Sequence, residues 1–257
     1  MSDPVVKDAT GDPFRVDGQR ALVTGANTGI GQATALGLAE RGAHVLAAGR
    51  SSCAETVALI EAAGGTAEDF TLELSDPAAG AARLAEAGAL DILVNNAGII
   101  RRADAVEFAE DDWDAVLDVN LKAVFLLCQG FAKAAMERGA GGRIVNIASL
   151  LSFQGGIRVP AYTAAKHGIA GLTKALANEW AGQGINVNAV APGYIVTNNT
   201  AALREDPVRS AEILGRIPAG RWGDAADIAG AVSFLCTPAA GYVTGAVLNV
   251  DGGWLAR

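Results

Sequence analysis

The chain has 257 residues, 51% of them hydrophobic, with 32 glycines and a formal net charge of −8. That length suits one large domain or two small ones, and so aliphatic a composition excludes a disordered chain. The negative balance disfavours nonspecific binding to nucleic acid or to an anionic membrane surface. The opening "MSDPVVKDATGDPFRVDG" lacks the basic-then-apolar order of a secretory signal. No apolar stretch approaches the roughly 20 residues that a membrane helix needs. Cys53, Cys128 and Cys236 lie far apart, in neither a CxxC pair nor an even disulfide set. They read as small core residues of a reduced, cytoplasmic protein, and no metal site is expected.

Residues 1–15 read as a loosely held lead-in. A first strand, "RALVTG" (20–25), leads through "TGANTGIG" (24–31) into a helical stretch over 30–41. "HVLAAG" (44–49) is the second strand, 52–63 the second helix, and "DFTLEL" (69–74) a weaker third strand before a helix over 77–87. "DILVNNAG" (91–98), a long helix over 111–138, "GRIVNIAS" (142–149), a helix over 161–181 and "INVNAVAPG" (185–193) follow. Residues 197–223 break the rhythm; a helix over 224–236 and "AVLNVDG" (246–252) restore it. Strands alternating with helices predict right-handed crossovers and a parallel α/β sheet of about seven strands, covered on both faces. The unbroken apolarity of most strands agrees with that burial. The rhythm runs as one domain over 16–257, and its long interruption reads as a substrate lid.

In "TGANTGIG", Gly25, Gly29 and Gly31 permit a tight turn and close backbone approach to a pyrophosphate facing the helix N-terminus. The spacing is G-x-x-x-G-x-G, and glycines also serve ordinary turns. Its position between a first strand and a first helix favours a dinucleotide. The second strand ends "AAGRSS", with Gly49 where an acidic residue would bind a ribose diol. Arg50 follows and can pair with a 2′-phosphate, which points to NADP, or can simply be a solvated surface arginine. Glu73, at the end of the third strand, is placed to meet an adenine amino group. "NNAG" (95–98) adds amides and a glycine where backbone skirts the cofactor.

Together "TGANTGIG", "NNAG", Asn120, Ser149, Tyr162-x-x-x-Lys166 and the "PG" of 192–193 with Thr197 behind it resemble the short-chain dehydrogenase/reductase family. The resemblance runs in order from about residue 16 to the end. It implies a single-domain Rossmann fold, hydride transfer to or from a nicotinamide cofactor, NAD(H) as the usual nucleotide, and a homotetramer paired through its long helices and C-terminal segment. Tyr162 would exchange a proton with the substrate oxygen, and Lys166, one turn away, would lower the phenol's pKa and hold the nicotinamide ribose. Ser149 would hydrogen-bond the substrate oxygen, and Asn120 would hold a water linking Lys166 to solvent. Nucleotide contacts would come from Gly25, Asn27, Thr28, Gly29, Ile30, Gly31, Arg50, Glu73, Leu74, Asn96, Ala97, Gly98, Tyr162, Lys166, Pro192, Gly193, Ile195 and Thr197. Taken singly, a tyrosine and a lysine four apart are commonplace on helices, and Ser149 alone could be a cap. His44 and His167 read as bland, and the four tryptophans as packing residues, with Trp254 and Leu255 exposed-looking and free to meet another subunit.

The substrate must be read from the loops. "NNAGIIRR" carries Arg101 and Arg102, "SFQGGIRVPAY" carries Gln154 and Arg158, and the interruption carries Arg216. So cationic a pocket suits a polyhydroxylated anion better than a steroid or acyl chain. These loops resemble the group of the family that interconverts keto and hydroxyl forms of deoxy-sugar acids. That resemblance implies a carboxylate held by arginine, with Arg158 the first choice and Ser149, Gln154, Tyr162 and Arg102 around it. Another sugar-acid or polyol reductase is the nearest alternative. A regulator that binds nucleotide without catalysis is remoter, since it would have lost one of Asn120, Ser149, Tyr162 or Lys166.

Overall fold

A computed structural model describes residues 11–257. Its strands are β1 (Arg20–Thr24), β2 (His44–Gly49), β3 (Thr66–Thr71), β4 (Ile92–Asn95), β5 (Gly142–Ile147), β6 (Ile185–Pro192) and β7 (Val247–Val250). All pair in parallel, in the order β3-β2-β1-β4-β5-β6-β7. Strand order reverses between β1 and β4, which opens a crevice at their C-terminal ends. The fold is the single-domain Rossmann-like α/β arrangement that the alternation predicts.

Side chains alternate across each strand and divide the core in two. Leu22, Leu46 and Leu93 face one helical layer with Leu127, Phe131 and Ile169. Val23, Val45, Ile92 and Val94 face the other with Leu38, Ile228 and Val232. Both faces are therefore dry, and each such aliphatic side chain contributes about 2 kcal/mol by leaving water. The free cysteines are all buried, as expected of core residues.

The helices are α1 (Gly29–Glu40), α2 (Ala54–Ala62), α3 (Pro77–Ala85), α4 (Glu110–Leu117), α5 (Ala123–Glu137), α6 (Pro160–Trp180), α7 (Ala201–Glu205), α8 (Pro207–Arg216) and α9 (Ala225–Cys236). Four expectations need correcting. The third strand starts three residues early: β3 is a largely exposed edge strand in which Phe70 alone is buried. The apolar Leu72 and Leu74 that drew the strand later belong to the turn beyond it, plugging the core from a loop.

The long helix expected over 111–138 is two helices joined by a π-helical turn, Asp118–Lys122. The region Glu110–Glu137 is also long and apolar enough to cross a membrane by length and composition, contrary to the expectation that nothing approaches that size. Half of that window is buried inside the fold, where α5 packs on the sheet, so its apolarity serves the core.

Trp254 is covered by its own chain rather than exposed: with Leu150, Ile213 and Ile217 it forms a third cluster beneath the insert. Residues 11–15 of the lead-in are exposed or half-buried, with Pro13 O accepting from Ala239 N at 2.8 Å, and the domain expected from residue 16 begins at the fully buried Val16. Residues 1–10 of that lead-in lie outside the described residues.

Candidate active site

The crevice begins where β1 turns into α1. Gly25 and Gly29 have φ of +65° and +58°, conformations that glycine adopts without strain. A Cβ on Gly31 would sit 2.1 Å from Gly25 O and 2.5 Å from Asn96 Nδ2, so the third glycine exists for packing inside the loop. Asn96 Nδ2 donates to Thr24 O at 2.9 Å, and the Thr24 hydroxyl accepts from Asn96 N and Ala97 N, both at 2.9 Å. These bonds lock the turns after β1 and β4 together. Thr28 precedes α1, whose first turn carries no acidic residue, so its N–H groups present positive potential to the crevice. The half-buried Ile30 packs into the core behind them. Across the gap, Thr197 lies 3.6 Å from where a Gly29 Cβ would be.

At the end of β2, Asn27 Nδ2 donates to Ser51 Oγ at 3.1 Å, and Arg50 is exposed with no ion pair among the described residues. Glu73 spends one carboxylate oxygen on its own turn, accepting from Leu74 N at 2.8 Å and Ser75 N at 2.9 Å. Against the desolvation that raises it, those backbone bonds and the Arg50 charge hold the Glu73 carboxyl below its ordinary value. On the far side Gly193 follows Pro192 at the end of β6, where a Cβ would meet Asp251 Cα at 2.6 Å. Ile195 is buried and pairs with Gly223.

Tyr162 and Lys166 stand one turn apart on α6, with Lys166 Nζ 5.5 Å from the phenol ring centroid. Lys166 is 5% exposed, and its Nζ donates to Ile147 O at 2.6 Å. Burial brings its pKa down to about 8. The expectation that Lys166 lowers the phenol's pKa does not hold in the protein alone. Burial pushes Tyr162 up, and the nearby Ser149 hydroxyl and Arg102 charge oppose that rise without overcoming it. Ser149 begins the turn after β5, and its Oγ accepts from Leu151 N at 3.2 Å.

Asn120 sits in the π-helical turn, and its carboxamide is bonded at both ends to one residue. Its Nδ2 donates to Ile99 O at 2.7 Å and its Oδ1 accepts from Ile99 N at 2.9 Å. Both ends of the side chain thus pin the loop after β4, and Gly98 is small because a Cβ there would lie 2.7 Å from Asn120 Oδ1.

The four candidate arginines separate clearly. Arg101 pairs with Asp112 at 3.0 Å, and Arg158 pairs with Asp104 at 3.0 Å while its backbone takes a left-handed φ of +64°. Arg216 lies 4.1 Å over the Trp254 ring. Arg102 has no carboxylate partner among the described residues; it donates to Asn199 O at 3.3 Å, and its charge reaches Tyr162. Gln154 Oε1 accepts from Trp254 Nε1 at 3.3 Å.

Sequence reading missed Thr24, Asp104 and Ser152. Thr24 was visible as the first letter of the glycine motif. Ser152, whose hydroxyl donates to Lys166 O at 2.6 Å, ties the Ser149 turn to α6 and left no signal in its own neighbourhood. Both histidines are bland, as expected: His167 is exposed and bonded to Thr163 O, and His44 lies beside Thr66 and Glu68.

Comparison with known proteins agrees with this geometry. A family model described as enoyl-(acyl carrier protein) reductase matches residues 25–255. The 2-dehydro-3-deoxy-D-gluconate 5-dehydrogenase of Bacillus subtilis (strain 168) is 54% identical over 250 residues, 96% of this chain and 98% of its own. Its namesake from Escherichia coli (strain K12) is 52% identical over 248 residues, 95% of this chain and 98% of its own. A crystal structure from Agrobacterium tumefaciens, assigned as a 2-deoxy-D-gluconate 3-dehydrogenase and holding NADP, is 64% identical. It superposes with a TM-score of 0.93 over 96% of this chain and 100% of its own. Glycine loop, sheet order, the tyrosine–lysine turn and these relatives converge: the chain belongs to the short-chain dehydrogenase/reductase family of oxidoreductases.

Proposed function

We propose that the chain is a nicotinamide-dependent dehydrogenase of deoxy-sugar acids, a 2-dehydro-3-deoxy-D-gluconate 5-dehydrogenase, also named 2-deoxy-D-gluconate 3-dehydrogenase. The observation that carries the reading is Tyr162 one helical turn from a buried lysine, beside Ser149 and within the field of the unpaired Arg102. The names and identities of the relatives support the substrate class.

A dinucleotide fits the crevice. Gly25 and Gly29 would let the backbone approach it, the N-terminus of α1 would meet its pyrophosphate, and Thr197 and Asn96 would hold it at the rim. Gly49 stands where an acidic residue would favour NAD, Arg50 beside it can pair with a 2′-phosphate, and the Agrobacterium neighbour holds NADP; these support use of NADP(H) alongside the NAD(H) expected of the family. When bound, the nicotinamide ring supplies or accepts the hydride. Tyr162 exchanges a proton with the substrate oxygen, and the Ser149 hydroxyl orients that oxygen. Lys166, protonated for most of the time at neutral pH, places positive charge beside the phenolate that forms.

Arg102 is the better carboxylate anchor, since Arg158 already pairs with Asp104. The insert over 197–223 acts as the lid, because Arg102 reaches its first turn. Exposed Trp113, Phe125 and Met136 on α4 and α5 support pairing of subunits into a homotetramer, and free buried cysteines suit the reducing cytoplasm.

The test is a substrate panel of aldonic acids, 2-keto-3-deoxy sugar acids and neutral ketoses, run with both nucleotides. Arg102→Ala should raise KM for the keto-deoxy acid about 30-fold or more while sparing a neutral ketose, and Arg158→Ala should raise it less. Equal effects of Arg102→Ala on acid and neutral ketose would remove the anchor. Preference for gluconate over the deoxy acids would reassign the enzyme as a gluconate 5-dehydrogenase.

A further inference from the structure

Trp254, near the C terminus, is 4% exposed and reaches back to the loop between Ser149 and Tyr162. Its Nε1–H donates to Gln154 Oε1 at 3.3 Å. The same ring lies 4.8 Å from the Tyr194 ring and 4.1 Å beneath the Arg216 guanidinium. It packs with Leu150, which follows Ser149 directly, and with Ile213 and Ile217 of the insert. Arg257 closes this arrangement by donating to Gly215 O and Arg216 O at the end of α8.

We propose that Trp254 is a positioning residue that fixes which end of the Gln154 carboxamide faces the substrate. An indole N–H only donates, so the amide must turn its oxygen toward the ring. The NH2 end, which makes no hydrogen bond among the described residues, is then committed to an acceptor. Hydroxyl, keto and carboxylate oxygens of a sugar acid are such acceptors. Without the indole N–H the amide can present either end, and half of its orientations oppose an acceptor with an oxygen. Because the ring also floors the insert, one side chain sets both the amide and the seat of α8. The inference rests on the reading above that Gln154 touches the sugar acid.

Steady-state kinetics on Trp254→Phe, Gln154→Ala and the double variant test it, with nucleotide binding measured in parallel. Phenylalanine keeps aromatic packing and loses the donor. Trp254→Phe should raise KM for a 2-keto-3-deoxy sugar acid about three- to tenfold while leaving kcat and nucleotide Kd within about twofold. In the Gln154→Ala background it should add nothing. If the two effects multiply instead, Trp254 does not act through Gln154 and the inference is wrong, while the substrate contact of Gln154 survives. If Gln154→Ala leaves KM unchanged, the contact itself is wrong and the inference goes with it. Should Trp254→Phe fold poorly, Gln154→Glu serves: it still accepts from the indole but has no donor end. Its KM must rise at least as far as that of Gln154→Ala, and an unchanged KM would overturn the proposal.

Discussion

Lys166 is a cation placed where solvent cannot reach it, and the cost is readable as pH dependence. An exposed lysine titrates at 10.5, whereas here burial brings the value to about 8. Between those values the unfolded chain binds more protons than the folded one, so stability rises with pH across that window. Below pH 8 the whole penalty is present, about 3 kcal/mol, offset in part by the bond to Ile147 O. Lys166→Met should therefore abolish turnover yet raise Tm by a few degrees at pH 7. Thermal melts should show the advantage shrinking as pH climbs toward 10.5; a constant difference across that range would mean the lysine is not buried as a charge. Their spacing put Tyr162 and Lys166 on one helix face, because a helical turn is a local property, and the ordered family motifs around them pointed to a shared role. The sequence could not show that Arg158 is taken by Asp104, or that Asn120 is spent on Ile99, since those partners lie 54 and 21 residues away.

At the scale of elements, the glycine loop and most strands were legible because buried parallel strands are continuous apolar runs. β3 was displaced because Leu72 and Leu74 are apolar for the sake of a turn that plugs the core. The π-helical turn was invisible: "DVNLK" fits a regular helix, and the two hydrogen bonds that Asn120 makes with Ile99 join it to a loop 21 residues away. The insert was recognised as an interruption, but its anchoring depends on a cap and on a remote tryptophan. Asp206 accepts from Val208 N at 3.0 Å and Arg209 N at 3.1 Å, and Pro207 opens α8. Such a cap contributes about 1 kcal/mol. Asp206→Ala should loosen α8, raising its amide hydrogen exchange about fivefold and KM for the sugar acid with it, while the main melting transition hardly moves. Faster exchange with an unchanged KM would detach the insert from substrate binding.

For the whole molecule, the strand order brings residues from every part of the chain to one edge of the sheet. Thr24, Asn96, Ser149 and Gly193 all lie at or just beyond the C-terminal ends of neighbouring strands β1, β4, β5 and β6. Alternation of strands and helices dictated that convergence before any side chain was considered. Substrate identity sits on the loops that the alternation leaves free, and these are set by long-range contacts such as Arg102 to Asn199 and Trp254 to Gln154. The most direct test of the account is turnover by Tyr162→Phe, followed through the absorbance of reduced nicotinamide with a 2-keto-3-deoxy sugar acid, beside calorimetric binding of the nucleotide. Turnover should fall by about a thousandfold or more with nucleotide Kd nearly unchanged. Reduction that persists near the wild-type rate would show that the proton passes through some other group.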